Sequence, residues 1–198
     1  MAAITRGAIA VVAAVALSGC NGGEEQEQLF KPADATRIAN IRPAMPGWTW
    51  PEKPEKHVPS GRPTDPLDVE LAARTEKLVS LGDAANKWED ANKLANLDAQ
   101  VLASAAEAHK LMAPFNAYSR GWAKRFGRIT KDGEIGGLGD EAWLLRTEAN
   151  GTEVTYHWRR RNLVVEAHVD CFGVCPGNVD TAARDWVDAI DEAARTGP

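Results

Sequence analysis

Cysteine is scarce. Three cysteines in 198 residues are too few for a disulfide-dense scaffold or a four-thiolate zinc site. Long apolar runs are missing as well. The longest, residues 8–17 (AIAVVAAVAL), would span about 15 Å as a helix, half of the roughly 30 Å hydrocarbon core, so no spanning helix is expected. There is no cationic excess: 23 Lys+Arg against 28 Asp+Glu give a net charge of −5. That balance argues against a nucleic-acid partner. The chain has no G-x-S-x-G elbow, and no serine stands in a context pointing to a histidine partner. Nucleophilic catalysis therefore has little support, and the chain is not expected to be an enzyme. What is present, 44% hydrophobic and 26% charged residues, suits one globular domain with appendages.

Arg6 and the amino terminus precede the apolar run, and Ser18-Gly19-Cys20 follows it. This order is that of a signal peptide. Leu17-Ser18-Gly19-Cys20 resembles a bacterial lipobox, in which Cys20 would carry the acyl chains and become the first residue of the mature protein. The alternative is an ordinary signal peptide cut nearby. Two acyl chains would hold the protein firmly to a membrane, facing out of the cytoplasm, whereas one binds only marginally. Cys171 and Cys175 would then lie where disulfides persist, and a small-loop bridge between them is expected.

Residues 1–19 are thus assigned to a lipoprotein signal peptide, 20–66 to an acidic and then Pro-rich tether, and 67–198 to a single domain. Eight of the eleven prolines fall between positions 32 and 66, which predicts an extended, non-helical stretch. Within it, Trp48 and Trp50 share a side of the chain and either dock the tether on the domain or form an aromatic platform. Leu71, Arg74, Leu78 and Leu81 predict a first helix ending near Gly82. Leu94, Leu97, Val101, Ser104, Ala108, Leu111 and Phe115 predict a second, the two forming an antiparallel pair. His109, off that stripe, reads as a surface or packing histidine. A strand is plausible over 118–126.

The second half reads as a sheet. Asn150-Gly151 is a strong two-residue hairpin signal and sets Thr147 opposite Val154, Leu145 opposite Tyr156 and Trp143 opposite Trp158. A second turn at Arg161-Asn162 sets Trp158 opposite Val165, Tyr156 opposite Ala167 and Val154 opposite Val169. Trp143, Leu145, Val154, Tyr156, Trp158, Leu163, Val165, Ala167 and Val169 then share one face. Arg146, Glu148, Glu153, Thr155, His157, Arg159, Glu166, His168 and Asp170 share the other. Asn178 caps a last helix whose stripe of Val179, Ala182, Trp186, Ile190 and Ala193 would cover the apolar face. The expected fold class is α+β: an antiparallel β-meander with an N-terminal helical pair and a C-terminal helix on its apolar face.

Gly137-Leu138-Gly139-Asp140-Glu141-Ala142 imitates a dinucleotide fingerprint but opens a strand, so a tight loop is the better reading. No cofactor is expected. His157, Glu166 and His168 on the polar face are weak candidates for a metal site, and no metal is assigned. Glu148, Glu153 and Asp170 form an acidic row that could hold a cation, although a solvated hairpin end is the simpler reading. Arg159-Arg160-Arg161 would attract anionic groups unless it is a solvated turn.

The run from Gly137 through Trp143, followed by the strand at Arg161-Asn162-Leu163-Val164-Val165, resembles secreted actinobacterial lipoproteins of unknown function. More distantly it is similar to extracellular sensor domains of bacterial Ser/Thr kinases. The resemblance spans roughly residues 136–195 and implies an extracytoplasmic, non-catalytic domain. We therefore expect a membrane-anchored lipoprotein with a binding or sensor-like domain. The alternatives are a protein-interaction module regulating an envelope enzyme or kinase, or a secreted hydrolase. The expected partners are the membrane, through Cys20, and an envelope protein; the small ligand is left open.

Overall fold

The computed structural model describes residues 29–56 and 65–197; the lipobox Cys20 and the signal peptide lie outside them. The elements, in chain order, are α1 (Pro32–Ala39), β1 (Glu55–Lys56), α2 (Pro66–Thr75), β2 (Ser80–Asp90), β3 (Lys93–Leu102), α3 (Ala105–Phe126), β4 (Arg128–Glu134), β5 (Glu141–Glu148), β6 (Gly151–Arg160), β7 (Leu163–Phe172) and α4 (Val179–Arg195). Seven strands form one sheet in the order β1-β2-β3-β7-β6-β5-β4, and every neighbouring pair is antiparallel. The β4–β7 meander thus closes against the β2–β3 hairpin, an α+β fold. Among the described residues no helix is long and apolar enough to cross a membrane.

One sheet face carries the main core. Ala95, Leu97, Ala99 and Val101 of β3, Val154, Tyr156 and Trp158 of β6, and Val165, Ala167 and Val169 of β7 are all buried there. Helix α4, capped by Asn178 accepting from the Asp180 and Thr181 amides, covers them with Trp186 and Ile190, as its stripe predicts. Trp186 meets Trp88 of β2 edge-on, at 6.1 Å between ring centroids. Beside it, Asp191 is buried and takes both Arg160 and Arg195, each nitrogen–oxygen distance being 2.8 Å. A buried carboxylate demands such partners.

The Pro-rich stretch departs from its expected extended form. Pro32 opens α1, where proline's fixed φ and missing N–H cost nothing. Its Ala35, Ile38 and Ala39 enter the main core with Phe30. Trp48 and Trp50 stack on one another at 5.5 Å, and the Trp48 indole donates to the Pro176 carbonyl at 2.8 Å. They dock this segment on the domain. Asn162, fully buried in the β6–β7 turn, accepts from the Phe30 amide at 2.8 Å and donates to the carbonyls of Phe30 (3.1 Å) and Leu102 (2.8 Å).

The helical pair also differs from expectation. Residues 80–90 and 93–102 are strands, and the paired helices are α2 and α3 on either side of them. The leucine spacing that suggested a helix over 94–115 competes with an equally good period of two, Ala95-Leu97-Ala99-Val101, and the sheet selects the latter. Helix α3 starts instead at the Ser104 cap, whose hydroxyl accepts from the Glu107 amide. It continues through Pro114 and across 118–126, where a strand was expected. Gly121 permits the close crossing with α2, since a Cβ there would lie 2.7 Å from Leu67 Cδ2.

The β6–β7 register is as expected, with Trp158 opposite Val165, Tyr156 opposite Ala167 and Val154 opposite Val169. The β5–β6 register is displaced by one. Trp143 faces His157, Leu145 faces Thr155 and Thr147 faces Glu153. Three residues, Ala149 to Gly151, separate the paired Glu148 and Thr152, so the parity changes and every β5 side chain changes face. Trp143 and Leu145 consequently pack with Ala123 under α3, while Arg146 turns to Asp180 of α4. Gly151 serves the sheet rather than the turn: a Cβ there would stand 2.0 Å from the Cys171 carbonyl oxygen. Cys171 and Cys175 form a disulfide.

Candidate binding site beneath helix α3

The face expected to be polar and solvated is covered. Helix α3 lays Ala108, Leu111 and Met112 on Leu102 and Val164 at one end and Ala123 on Trp143 and Leu145 at the other. Between these two small cores the sheet presents polar residues. His157 is completely buried, its ring stacked on Trp143 at 5.4 Å. Its Nδ1 donates to Asn116 Oδ1 at 2.8 Å, and its Nε2 lies 2.8 Å from Glu166 Oε2 and 3.3 Å from Ser119 Oγ. An amide oxygen only accepts, so the Nδ1 proton is committed to α3.

Glu166 stands opposite His157 on β7, as expected, and opposite Asp98 on β3. Two carboxyl groups thus meet across adjacent strands. Burial, and next the charge of Glu166, push the Asp98 carboxyl up to about 8. His168 does not join His157; its Nδ1 bonds Thr155 Oγ1 at 3.0 Å and lies 3.6 Å from Glu153. The weak metal candidates His157, Glu166 and His168 are therefore not gathered as a ligand set, and among the described residues no group of three His, Cys, Asp or Glu is placed to hold a metal. The acidic row is broken too. Asp170 faces Glu153 and is raised chiefly by burial, but Glu148 has gone to the opposite face with Arg146.

Ser119, His157 and Glu166 have the composition of a hydrolytic triad but not its arrangement. A relay places the nucleophile on one imidazole nitrogen and the acid on the other. Here both crowd Nε2, and the ring has no solvent-facing edge.

Next to this buried row opens a cleft of about 410 Å³, lined by Ala113, Asn116 and Arg120 of α3, Asp132 and Glu134 of β4, and Glu141 and Trp143 of β5. Arg120 grips Asp132 at 2.6 and 2.9 Å and lies over the Trp143 ring at 5.4 Å. The Arg120 guanidinium holds Asp132 below the usual carboxylate range. Burial pushes Glu141 up, but hydrogen bonds from exposed His109 (2.6 Å) and Arg159 (2.9 Å) outweigh it and leave Glu141 lowered. Asn116 both lines the cleft and holds His157, so cleft and buried row share a wall.

The glycine-rich run closes this end of the sheet as a loop. Gly139 has φ 54°, and Asp140 receives Arg159 at 3.2 Å. Arg159 and Arg160 are thus paired with carboxylates, which removes most of the expected cationic patch. The sequence reading missed Asn116, Ser119 and Asp98. The signal for Asp98 would have been the alternation Ala95 to Val101, which places it on the polar face; Asn116 and Ser119 needed helix α3 to be read through 118–126.

No protein-family model and no curated protein matches this sequence. Among solved structures the chain is similar to the extracellular domain of PknH from Mycobacterium tuberculosis, at 13% identity and a TM-score of 0.40 over 83% of this chain and 93% of that one.

Proposed function

We propose that the protein is an extracytoplasmic, lipid-anchored binding domain of sensor-like character with no catalytic role, taking its ligand in the cleft between α3 and β4–β5. The cleft carries this reading. It is the place where charged side chains from three elements converge over an aromatic floor, beside a histidine arranged to hold the helix rather than to activate a nucleophile. The Cys171–Cys175 disulfide supports an oxidising compartment, and the Leu17-Ser18-Gly19-Cys20 sequence supports the anchor. Phe172 and Val174 stand exposed on the disulfide loop, at the opposite end of β7 from the cleft; an apolar tip of that kind suits a protein partner that reaches beyond the cleft rather than a small molecule confined to it.

The test is fractionation and crosslinking of the tagged full-length protein in intact cells, beside Cys20→Ser and Arg120→Glu. The wild type is expected in the membrane fraction with a crosslinked species that Arg120→Glu loses. Retention of Cys20→Ser in the membrane would refute the anchor. A crosslink indifferent to Arg120→Glu would refute the cleft.

A further inference from the structure

We propose that the protein pairs with a second copy of itself through the disulfide loop, the apolar tip of each copy entering the hollow formed by residues 42–50 of the other. The inference goes beyond the cleft and the anchor. It rests on the protein partner read above from the exposed tip, and it gives that partner an identity.

The tip is held rigidly and yet stands free of packing. Phe172 is 51% and Val174 93% exposed, while the loop that carries them is fixed from several sides. The Cys171–Cys175 disulfide closes it. The Phe172 amide donates to the Asn92 carbonyl at 2.8 Å, and the Gly173 amide to the Asn150 carbonyl at 2.9 Å. The Asn92 side chain donates in turn to the carbonyls of Phe172 (2.7 Å) and Val174 (3.3 Å). A loop already ordered loses little conformational freedom on binding, so the burial of its apolar side chains is little offset by an ordering cost.

The hollow lies beside the tip. It measures about 490 Å³ and is lined by Arg42, Pro43, Met45, Pro46, Trp48 and Trp50. The Trp48 indole donates to the carbonyl of Pro176, just past the disulfide, and a Cβ at Gly47 would lie 3.7 Å from Pro176 Cβ. Val174, almost wholly exposed, does not fill the hollow of its own copy. Between two copies related by a two-fold axis each tip meets the other's hollow, one contact made twice, and the pair is closed. Charge permits the approach. The chain carries −5 overall, but residues 43–50 (PAMPGWTW) and 171–178 (CFGVCPGN) contain no ionisable side chain apart from the bridged cysteines. Depletion of charge with enrichment in Trp, Phe, Met and Arg marks the centre of protein interfaces. Two tips and the two hollows that receive them remove on the order of 1,000 Å² from water, the lower limit of a specific interface, so the pairing is concentration-dependent rather than obligate.

The test puts a photo-crosslinking phenylalanine analogue in place of Val174 in the full chain in nonionic detergent. Isotopically light and heavy batches are mixed before irradiation, and the products are mapped by mass spectrometry. Products joining position 174 of one isotope to the 42–50 segment of the other are expected, at a yield that rises with protein concentration. Pro46→Glu, which puts a charge on an exposed residue of the hollow, is expected to lower that yield at least about tenfold. Both chains share the same amino-terminal residues, so two copies caught by chance in one micelle would not show this difference. Products confined to one isotope, products at other segments only, or a Pro46→Glu yield equal to that of the wild type would overturn the proposal. Should Pro46→Glu fail to fold, Phe172→Asp on the tip serves as the second variant, with the same loss expected. The cleft takes no part in this measurement, so failure here leaves the cleft reading standing.

Discussion

Replacing Asn162 by alanine probes whether the segment around Phe30 belongs to the folded unit. The Asn162 side chain is fully buried and makes three hydrogen bonds to main-chain groups, two on Phe30 and one on Leu102. Each is worth about 1 kcal/mol net, and the groups left behind are buried, so the loss should be about 3 kcal/mol. Urea unfolding followed by tryptophan fluorescence measures it. The midpoint should fall with little change in slope, since the surface exposed on unfolding is nearly the same. In a thermal scan the same loss should lower the transition by roughly 6–12 °C for a domain of this size. Asn162→Asp should be no better than alanine at neutral pH, because a carboxylate there would face two carbonyl oxygens. A loss below about 1 kcal/mol for Asn162→Ala would refute the reasoning, showing that water replaces the amide cheaply or that residues 29–31 are not held.

Asp98→Asn should stabilise the protein at alkaline pH. With Asp98 moved from 3.8 to about 8, the fold keeps a proton that the unfolded chain gives up, so stability is greatest below about pH 4, declines up to about 8 and is flat beyond. The ceiling on the gain is about 6 kcal/mol, and the difference between the two proteins should be smaller at pH 5 than at pH 9 in paired unfolding curves. Arg160→Ala leaves the buried Asp191 with Arg195 alone and should cost about 3 kcal/mol in the same denaturation assay. Gly151→Ala drives a methyl into the Cys171 carbonyl and should cost about 3 kcal/mol, with weakened exchange protection at the 150–152 and 171–173 ends of β6 and β7. Reducing the Cys171–Cys175 bridge should lower stability by only about 2 kcal/mol, because the loop it closes is short; a loss of the whole fold would contradict that.

The β6–β7 hairpin was legible in the sequence because residues 154–159 and 165–170 alternate apolar with polar and the Arg161-Asn162 turn contains an even number of residues. The partnership of Glu166 with His157 followed from it. The β5 register was not legible for a physical reason. Ala142, Trp143, Leu144 and Leu145 are all buried, since helices cover both faces of the sheet, and a strand apolar on both sides carries no parity. Alanine hid the β2–β3 hairpin in the same way, being small enough to sit on either a helix or a strand. With β3 read as a helix, Asp98 could not be placed beside Glu166. With 118–126 read as a strand, Asn116 and Ser119 could not be placed over His157. The last helix and the docked tryptophans were plain because their stripes and spacings fit one period only.

The Asn162 clamp has a geometric consequence. It fixes the entry of the chain beside the first residue of β7, while the disulfide loop begins at the far end of the same strand. Ten residues of strand separate the two points by roughly 30 Å. The entry of the chain and the disulfide loop therefore occupy opposite ends of the sheet, with the full length of β7 between them. The cleft, level with Val164 to Glu166 through Glu141 and Trp143, lies towards the clamped end, so a partner that met both the cleft and the exposed Phe172 and Val174 would have to reach along most of the strand.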